Sequence, residues 1–174
     1  MFFTCEDLLA ILVFWAKLKS LVFVHIYLFY NFRIEGVELP ITPCAGSLLS
    51  SDTVLTAAHC VYQYTILKKE ILEKVNLLFT VGEHDKTKDD KTEQKMKAKD
   101  IIIHPNYKNG SFDFDFAIIK LDKPVKFTKF VVPVCLPSNK HQKFESNEAK
   151  VAGWGRQYFE QPSENTPKVL RKVD

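Results

Sequence analysis

Past residue 20 the chain is a succession of short apolar runs, each closed by a cluster of turn residues. That rhythm admits few folds. The runs are Leu21–Tyr30, Cys44–Leu49, Val75–Val81, Met96–His104, Phe116–Leu121, Phe130–Cys135, Ala149–Trp154 and Val169–Val173. They are rich in Val, Ile, Leu and Phe, which pack well on a pleated surface. Clusters such as His104-Pro105-Asn106 and Pro137-Ser138-Asn139 separate them. Strands this short and this regularly spaced predict an all-β sandwich or barrel. One segment breaks the pattern. Leu67, Ile71 and Val75 repeat at four, and Glu70 with Lys74 forms an i,i+4 pair. A short helix is expected over 65–75. There is no internal repeat and no low-complexity tract.

The composition allows a packed core. The 174 residues are 46% hydrophobic and 26% charged, near the globular average. Net charge is +3, and in 86–100 lysines alternate with acids, as on a solvated surface. No aromatic-plus-arginine pattern points to nucleic acid. Four cysteines, Cys5, Cys44, Cys60 and Cys135, form no CxxC pair, which argues against a zinc ribbon and suits disulfides of an exported protein. Asn109-Gly110-Ser111 is a glycosylation sequon, compatible with export.

The first twenty residues fit no element. Leu8–Ala16 is apolar but too short to span a bilayer. Its length suits a signal-peptide core, yet Glu6 and Asp7 stand where positive charge is expected, and Lys17 and Lys19 follow. Residues 1–20 are left unassigned, and a membrane anchor through 8–30 is the weakest reading.

Two motifs carry chemistry. Cys44-Ala45-Gly46-Ser47-Leu48-Leu49-Ser50 precedes Val54-Leu55-Thr56-Ala57-Ala58-His59-Cys60, and Asp115-Phe116-Ala117-Ile118 follows later. Between and after them come Gly82-Glu83-His84-Asp85, His104-Pro105-Asn106-Tyr107, Val134-Cys135-Leu136-Pro137 and Ala152-Gly153-Trp154-Gly155. In this order they resemble the landmarks of the trypsin-like serine proteases over residues 21–174. The resemblance implies a double β-barrel, with the first barrel essentially complete at about 21–125 and a truncated second beginning near 130.

A serine hydroxyl is a poor nucleophile until an imidazole takes its proton, and a buried carboxylate fixes that imidazole. By resemblance His59 is the base and Asp115 its orienter. An isolated histidine is more often a satisfied core residue; here the motif favours the catalytic position. Asp113 competes with Asp115, because two residues apart on a strand they would share a face. Ala117 and Ile118 fall in family register only with Asp115.

The resemblance implies a Cys44–Cys60 disulfide. Cys135 matches a cysteine that bridges upstream in many relatives, leaving Cys5 as the partner within the chain; two free thiols are the alternative. Glu83, Asp85, Lys88, Asp90 and Glu93 match the family's calcium loop. Glu83 and Glu93 would offer side chains, Asp85 and Lys88 backbone oxygens, and Asp90 a water-mediated contact. An ordinary charged loop, diluted by Lys86, Lys88 and Lys91, is the other reading. The chemistry itself calls for no cofactor.

The departures set the functional expectation. No Gly-Asp-Ser-Gly-Gly segment occurs, and Ser138, Ser146 and Ser163 lack flanking glycines that would form an oxyanion hole. No Ile-Val-Gly-Gly terminus precedes the first strand. Arg33-Ile34-Glu35-Gly36 lies too close to Cys44 to serve, so 31–42 reads as a hairpin loop. The segment between Cys60 and Gly82 is about ten residues longer than in simple relatives, as rim loops often are. The expectation is a fragment of a secreted endopeptidase acting on proteins or peptides, inactive alone, with no nucleic-acid or membrane partner. The rival is a non-catalytic, protease-like binding module. A truncated second barrel would leave Phe130, Val132, Val134, Val151, Trp154 and Leu170 partly exposed.

Overall fold

The computed structural model describes residues 25–30, 33–34, 37–38, 44–65, 77–136, 151–158, 160–161 and 166–173. Six antiparallel strands close into a barrel. They are β1 (His25–Tyr30), β4 (Cys44–Ser50), β5 (Thr53–Thr56), β6 (Leu77–Val81), β7 (Gln94–Ile103) and β8 (Ala117–Leu121). The order around the barrel is β1-β4-β5-β8-β7-β6. β1 closes it by pairing with β4 through His25↔Ser47 and with β6 through Ile26↔Val81. Closure leaves no strand edge unpaired.

Period-two patterning sets the inside. Ala117, Ile119 and Leu121 of β8 are buried and alternate with half-buried Ile118 and Lys120. β5 turns Val54 and Thr56 inward, and the Thr56 hydroxyl donates to the Ala45 carbonyl at 3.0 Å. β7 buries Met96 between exposed Lys95 and Lys97. Phe79, Leu48, Ile119, Val54, Val61, Val81 and Val131 are fully buried. Each contributes about 1.5–3 kcal/mol over an exposed position. Gly46 sits where β4 and β5 approach closely: a Cβ there would meet the Leu55 carbonyl at 2.7 Å.

Beside the barrel, β2 (Arg33–Ile34) and β3 (Val37–Glu38) pair as a small hairpin, as read for 31–42. β9 (Val151–Gly153) pairs with β10 (Arg171–Val173), the beginning of a second sheet. Among the described residues the fold is a closed six-stranded barrel with the two-stranded β9–β10 sheet beside it, as expected of the first barrel and the start of the second in a trypsin-like fold.

Several expectations change. The strand expected at Phe130–Cys135 is absent; that stretch holds only the isolated bridge Thr128↔Val131. Its backbone instead packs on the first barrel, where the Val134 N–H donates to the Leu48 carbonyl at 2.7 Å. Val131 is fully buried in the barrel core, and Val132 and Val134 are half-buried. Trp154 is buried rather than exposed. Strand β5 was not anticipated; three of its four residues lie inside the histidine motif. The helix expected over 65–75 lies outside the described residues except for Thr65. Thr65 closes a different helix, α1 (Ala58–Thr65), over the second half of that motif.

Candidate active site

Strand β5 ends at Thr56, and the chain turns directly into α1 with Ala57 as the entering residue. A helix start leaves backbone N–H groups without partners. Ala57, at the capping position, has no side-chain acceptor, and the Thr56 hydroxyl before it donates to the Ala45 carbonyl. Asp115 supplies one from far along the chain: its Oδ1 accepts the His59 backbone N–H at 2.8 Å. Its Oδ2 lies 2.7 Å from His59 Nδ1. One carboxylate therefore caps the helix and orients the imidazole on its first turn.

The surroundings favour the charged carboxylate. The Asp115 side chain is mostly buried, while the His59 side chain is 51% exposed. Burial raises the carboxyl's proton affinity. The hydrogen bonds and charge of His59, with the Ala58 N–H, outweigh that and hold Asp115 below its ordinary value of 3.8. With Nδ1 donating to Asp115, the neutral ring presents Nε2 as an acceptor. Cys60 Sγ lies 3.5 Å from Nε2. Tyr107, buried beside this pair and edge-on to Tyr62 at 5.5 Å, has its phenol pushed up by burial, then by Asp115 and Tyr62.

The choice between the two aspartates is decided by tertiary contact. β8 begins only at Ala117, so Asp113 and Asp115 do not share a strand face as expected. Asp113 is exposed, and its N–H donates to Ser111 Oγ. Only Asp115 reaches His59.

Cys44 and Cys60 form a disulfide, Cα–Cα 6.2 Å, tying β4 to α1. Cys135 is also disulfide-bonded. Its expected partner, Cys5, lies outside the described residues. Asn109 is exposed in a turn with Gly110 at φ 86°.

The acidic loop gathers a second set of groups. Glu83, Asp90 and Glu93 each offer a carboxylate oxygen within 4.8 Å of the others. Glu83 Oε1 is buried with no hydrogen-bond partner among the described residues. Burial, then Glu93, Asp90 and Asp85, raise the Glu83 carboxyl above 4.5. A buried orphan oxygen amid like charges is the donor set a cation satisfies. Asp85 Oδ1 accepts from Thr87, and Lys88 Nζ lies 3.4 Å from Asp90 and 3.6 Å from Asp85. The residues fit a divalent ion, with Lys88 as a competing internal cation. An open concavity of about 510 Å³ lies here, lined in part by Glu83, Lys88 and Glu93.

Sequence reading missed two features of the His59 site. The capping bond from Asp115 to α1 has no local signal, because 56 residues separate the partners. Phe114, directly before Asp115, has φ 55°, a conformation sequence does not announce for phenylalanine.

The described barrel is closed and antiparallel, and it carries an imidazole joined to a carboxylate. The family model "Trypsin" matches residues 34–174, and the chain belongs to that family. It is 35% identical over 132 residues to mannan-binding lectin serine protease 1 of Rattus norvegicus, covering 72% of this chain and 18% of that protein. It is 36% identical over 134 residues to a venom serine protease of Polistes dominula, covering 75% and 45%. With clotting factor C of Tachypleus tridentatus identity is 40% over 119 residues, covering 64% and 11%. A solved structure described as "Structure of GrC" superposes with a TM-score of 0.67 at 26% identity, covering 87% of this chain and 59% of that one. The chain thus spans less than half the length of these curated relatives. No helix among the described residues is long and apolar enough to cross a membrane.

Proposed function

We propose that this chain carries the base and the orienter of a serine endopeptidase, His59 and Asp115. The observation that supports this is the 2.7 Å contact between His59 Nδ1 and Asp115 Oδ2, with the ring half open to solvent. In that arrangement Nε2 takes the proton of an attacking serine hydroxyl and later returns it to the leaving amine. Asp115 holds the tautomer and stabilises the imidazolium. The substrates are proteins or peptides, and the hydrolysis needs no cofactor.

The nucleophile is the missing party. The 174 residues contain no Gly-Asp-Ser-Gly-Gly segment. Imidazole and carboxylate alone form no acyl-enzyme. The polypeptide is therefore a fragment of such an enzyme, inactive alone. A binding module is less favoured, because among the described residues β9 and β10 are the only paired strands of a second sheet. The setting is extracellular, in keeping with the Cys44–Cys60 disulfide and with relatives that include a venom protease. Cys5–Cys135 is its second disulfide, Asn109 its glycan site, and neither nucleic acid nor membrane is a partner. Glu83 and Glu93, with Asp90 and the backbone of Asp85 and Lys88, would hold a structural calcium that neutralises the loop.

A serine-directed phosphonate probe tests the central claim. The 174-residue chain should take up no label. Covalent labelling abolished by His59→Ala would show that it contains a working nucleophile and would end the fragment reading.

A further inference from the structure

The backbone just before Asp115 should resist the shape it adopts. Phe114 has φ 55°, where the Cβ of a bulky side chain crowds the following carbonyl. Such a conformation persists only where neighbours over-determine it. The core does not hold it: Phe114 and Phe116 are 49% and 45% exposed. Their ring contacts among the described residues are both with His104. The imidazole stacks on Phe114 at 4.8 Å with planes 4° apart, and meets Phe116 at 4.5 Å and 56°.

His104 is itself fixed. It follows the last residue of β7, whose Ile103 pairs with Ala117 at the start of β8. Its N–H donates to the Phe116 carbonyl at 3.2 Å, and its carbonyl accepts the Tyr107 N–H at 2.9 Å. Its Nδ1 accepts the Asn106 N–H at 3.2 Å. The Phe116 N–H closes back on the Phe114 carbonyl at 2.8 Å, making a tight turn with Asp115 at its apex.

We propose that His104 is a positioning residue for the His59–Asp115 pair: clamped against the rings on both sides of Asp115, it holds the turn that presents the carboxylate. The inference rests on reading that pair as base and orienter. His104 touches neither the imidazole nor any reacting atom. It acts through the conformation of 114–116, which sets where Oδ1 and Oδ2 point. The stack is planar, so an aromatic ring without nitrogen should replace it and an aliphatic side chain should not.

The test uses the 174-residue chain, labelled for NMR, and reads the His59 Nδ1–H proton. That proton is protected only while Asp115 accepts it. His104→Ala should speed its exchange with water about two- to tenfold, the range an aromatic pair is worth. Amide protection at Val54 and Ile119 in the barrel should stay unchanged. His104→Phe should restore slow exchange. Phe114→Gly relieves the backbone and removes the stack but leaves the Phe116 contact, so adding His104→Ala to it should change exchange less than it does in the parent. Unchanged exchange in His104→Ala overturns the proposal. So does equal loss in His104→Phe, or a full additional effect of His104→Ala in the Phe114→Gly background. These outcomes are independent of phosphonate labelling, so the clamp and the catalytic reading fail separately.

Discussion

The Trp154 indole N–H donates to the His84 carbonyl at 3.2 Å, joining the start of the second sheet to the acidic loop of the first barrel. The same loop receives the last described segment. The Leu170 N–H donates to the same His84 carbonyl at 2.9 Å, Lys86 N–H donates to the Lys168 carbonyl at 3.1 Å, and Asp85 bridges Val169. The ammonium of Lys86 lies 6.0 Å over the Trp154 ring. The late part of the chain is therefore anchored on the first barrel as well as through its own β9–β10 pair.

Trp154 should be the keystone of that anchoring. Trp154→Ala should cost about 3–5 kcal/mol, the range for removing a buried aromatic. Trp154→Phe should cost less, since it gives up mainly one hydrogen bond worth about 1 kcal/mol. Urea unfolding gives both values. Limited proteolysis should show 151–173 cut sooner in Trp154→Ala, with 44–121 unaffected. Equal cleavage of both portions would contradict this.

Asp115 should matter to stability as well as to chemistry, because it caps α1. Asp115→Asn keeps an oxygen for the cap but loses the charge behind both bonds, and should lower stability by about 1–2 kcal/mol, the margin of a charged over a neutral hydrogen bond. Its folded pKa is depressed, so its contribution is present above the unfolded value near 3.8. That contribution fades as pH falls below 3.8 through the folded value. The stability difference between parent and Asp115→Asn should therefore narrow in acid. A gap constant down to about pH 2 would contradict the linkage.

The Cys44–Cys60 disulfide spans 16 positions. Restricting a loop of that size contributes about 3 kcal/mol through the unfolded chain. The double variant Cys44→Ala with Cys60→Ala should lose that amount in denaturant unfolding, with the barrel intact by circular dichroism. Either cysteine found as a free thiol in soluble folded protein would oppose the structure directly.

Calcium should stabilise the acidic loop in a pH-dependent way. The folded pKa of Glu83 is raised, so its own contribution is full below 4.5 and is lost as pH rises through the folded value. A cation binds the ionised form and reverses that loss. Millimolar calcium should raise Tm little near pH 4 and more toward pH 7, by the mass action of a ligand that binds only folded chain. Glu83→Gln and Glu93→Gln should each shrink the shift. A well-folded sample with no shift at any pH would leave the loop's own lysines, Lys88 and Lys91, as its counter-charges.

Sequence alone determined the strands that alternate and the candidate residues of the site. Met96 between Lys95 and Lys97 can face the core on only one register, and Ala117, Ile119 and Leu121 likewise select one face of β8. The ordered motifs around His59 and Asp115 identified the family, which the match over 34–174 established independently. Tertiary structure decided what local patterning cannot encode. It brought Asp115, which family register already favoured over Asp113, to the start of α1, a contact only a closed barrel makes. It turned Ala58–Thr65 into a helix whose cap comes from 56 residues away. It set Phe114 at positive φ against His104, a strain no propensity scale would grant. It also replaced the strand expected at 130–135 with a segment that seals the first barrel through Val131 and Val132. In each case the deciding free energy is a contact between distant segments, which exists only once the barrel has closed.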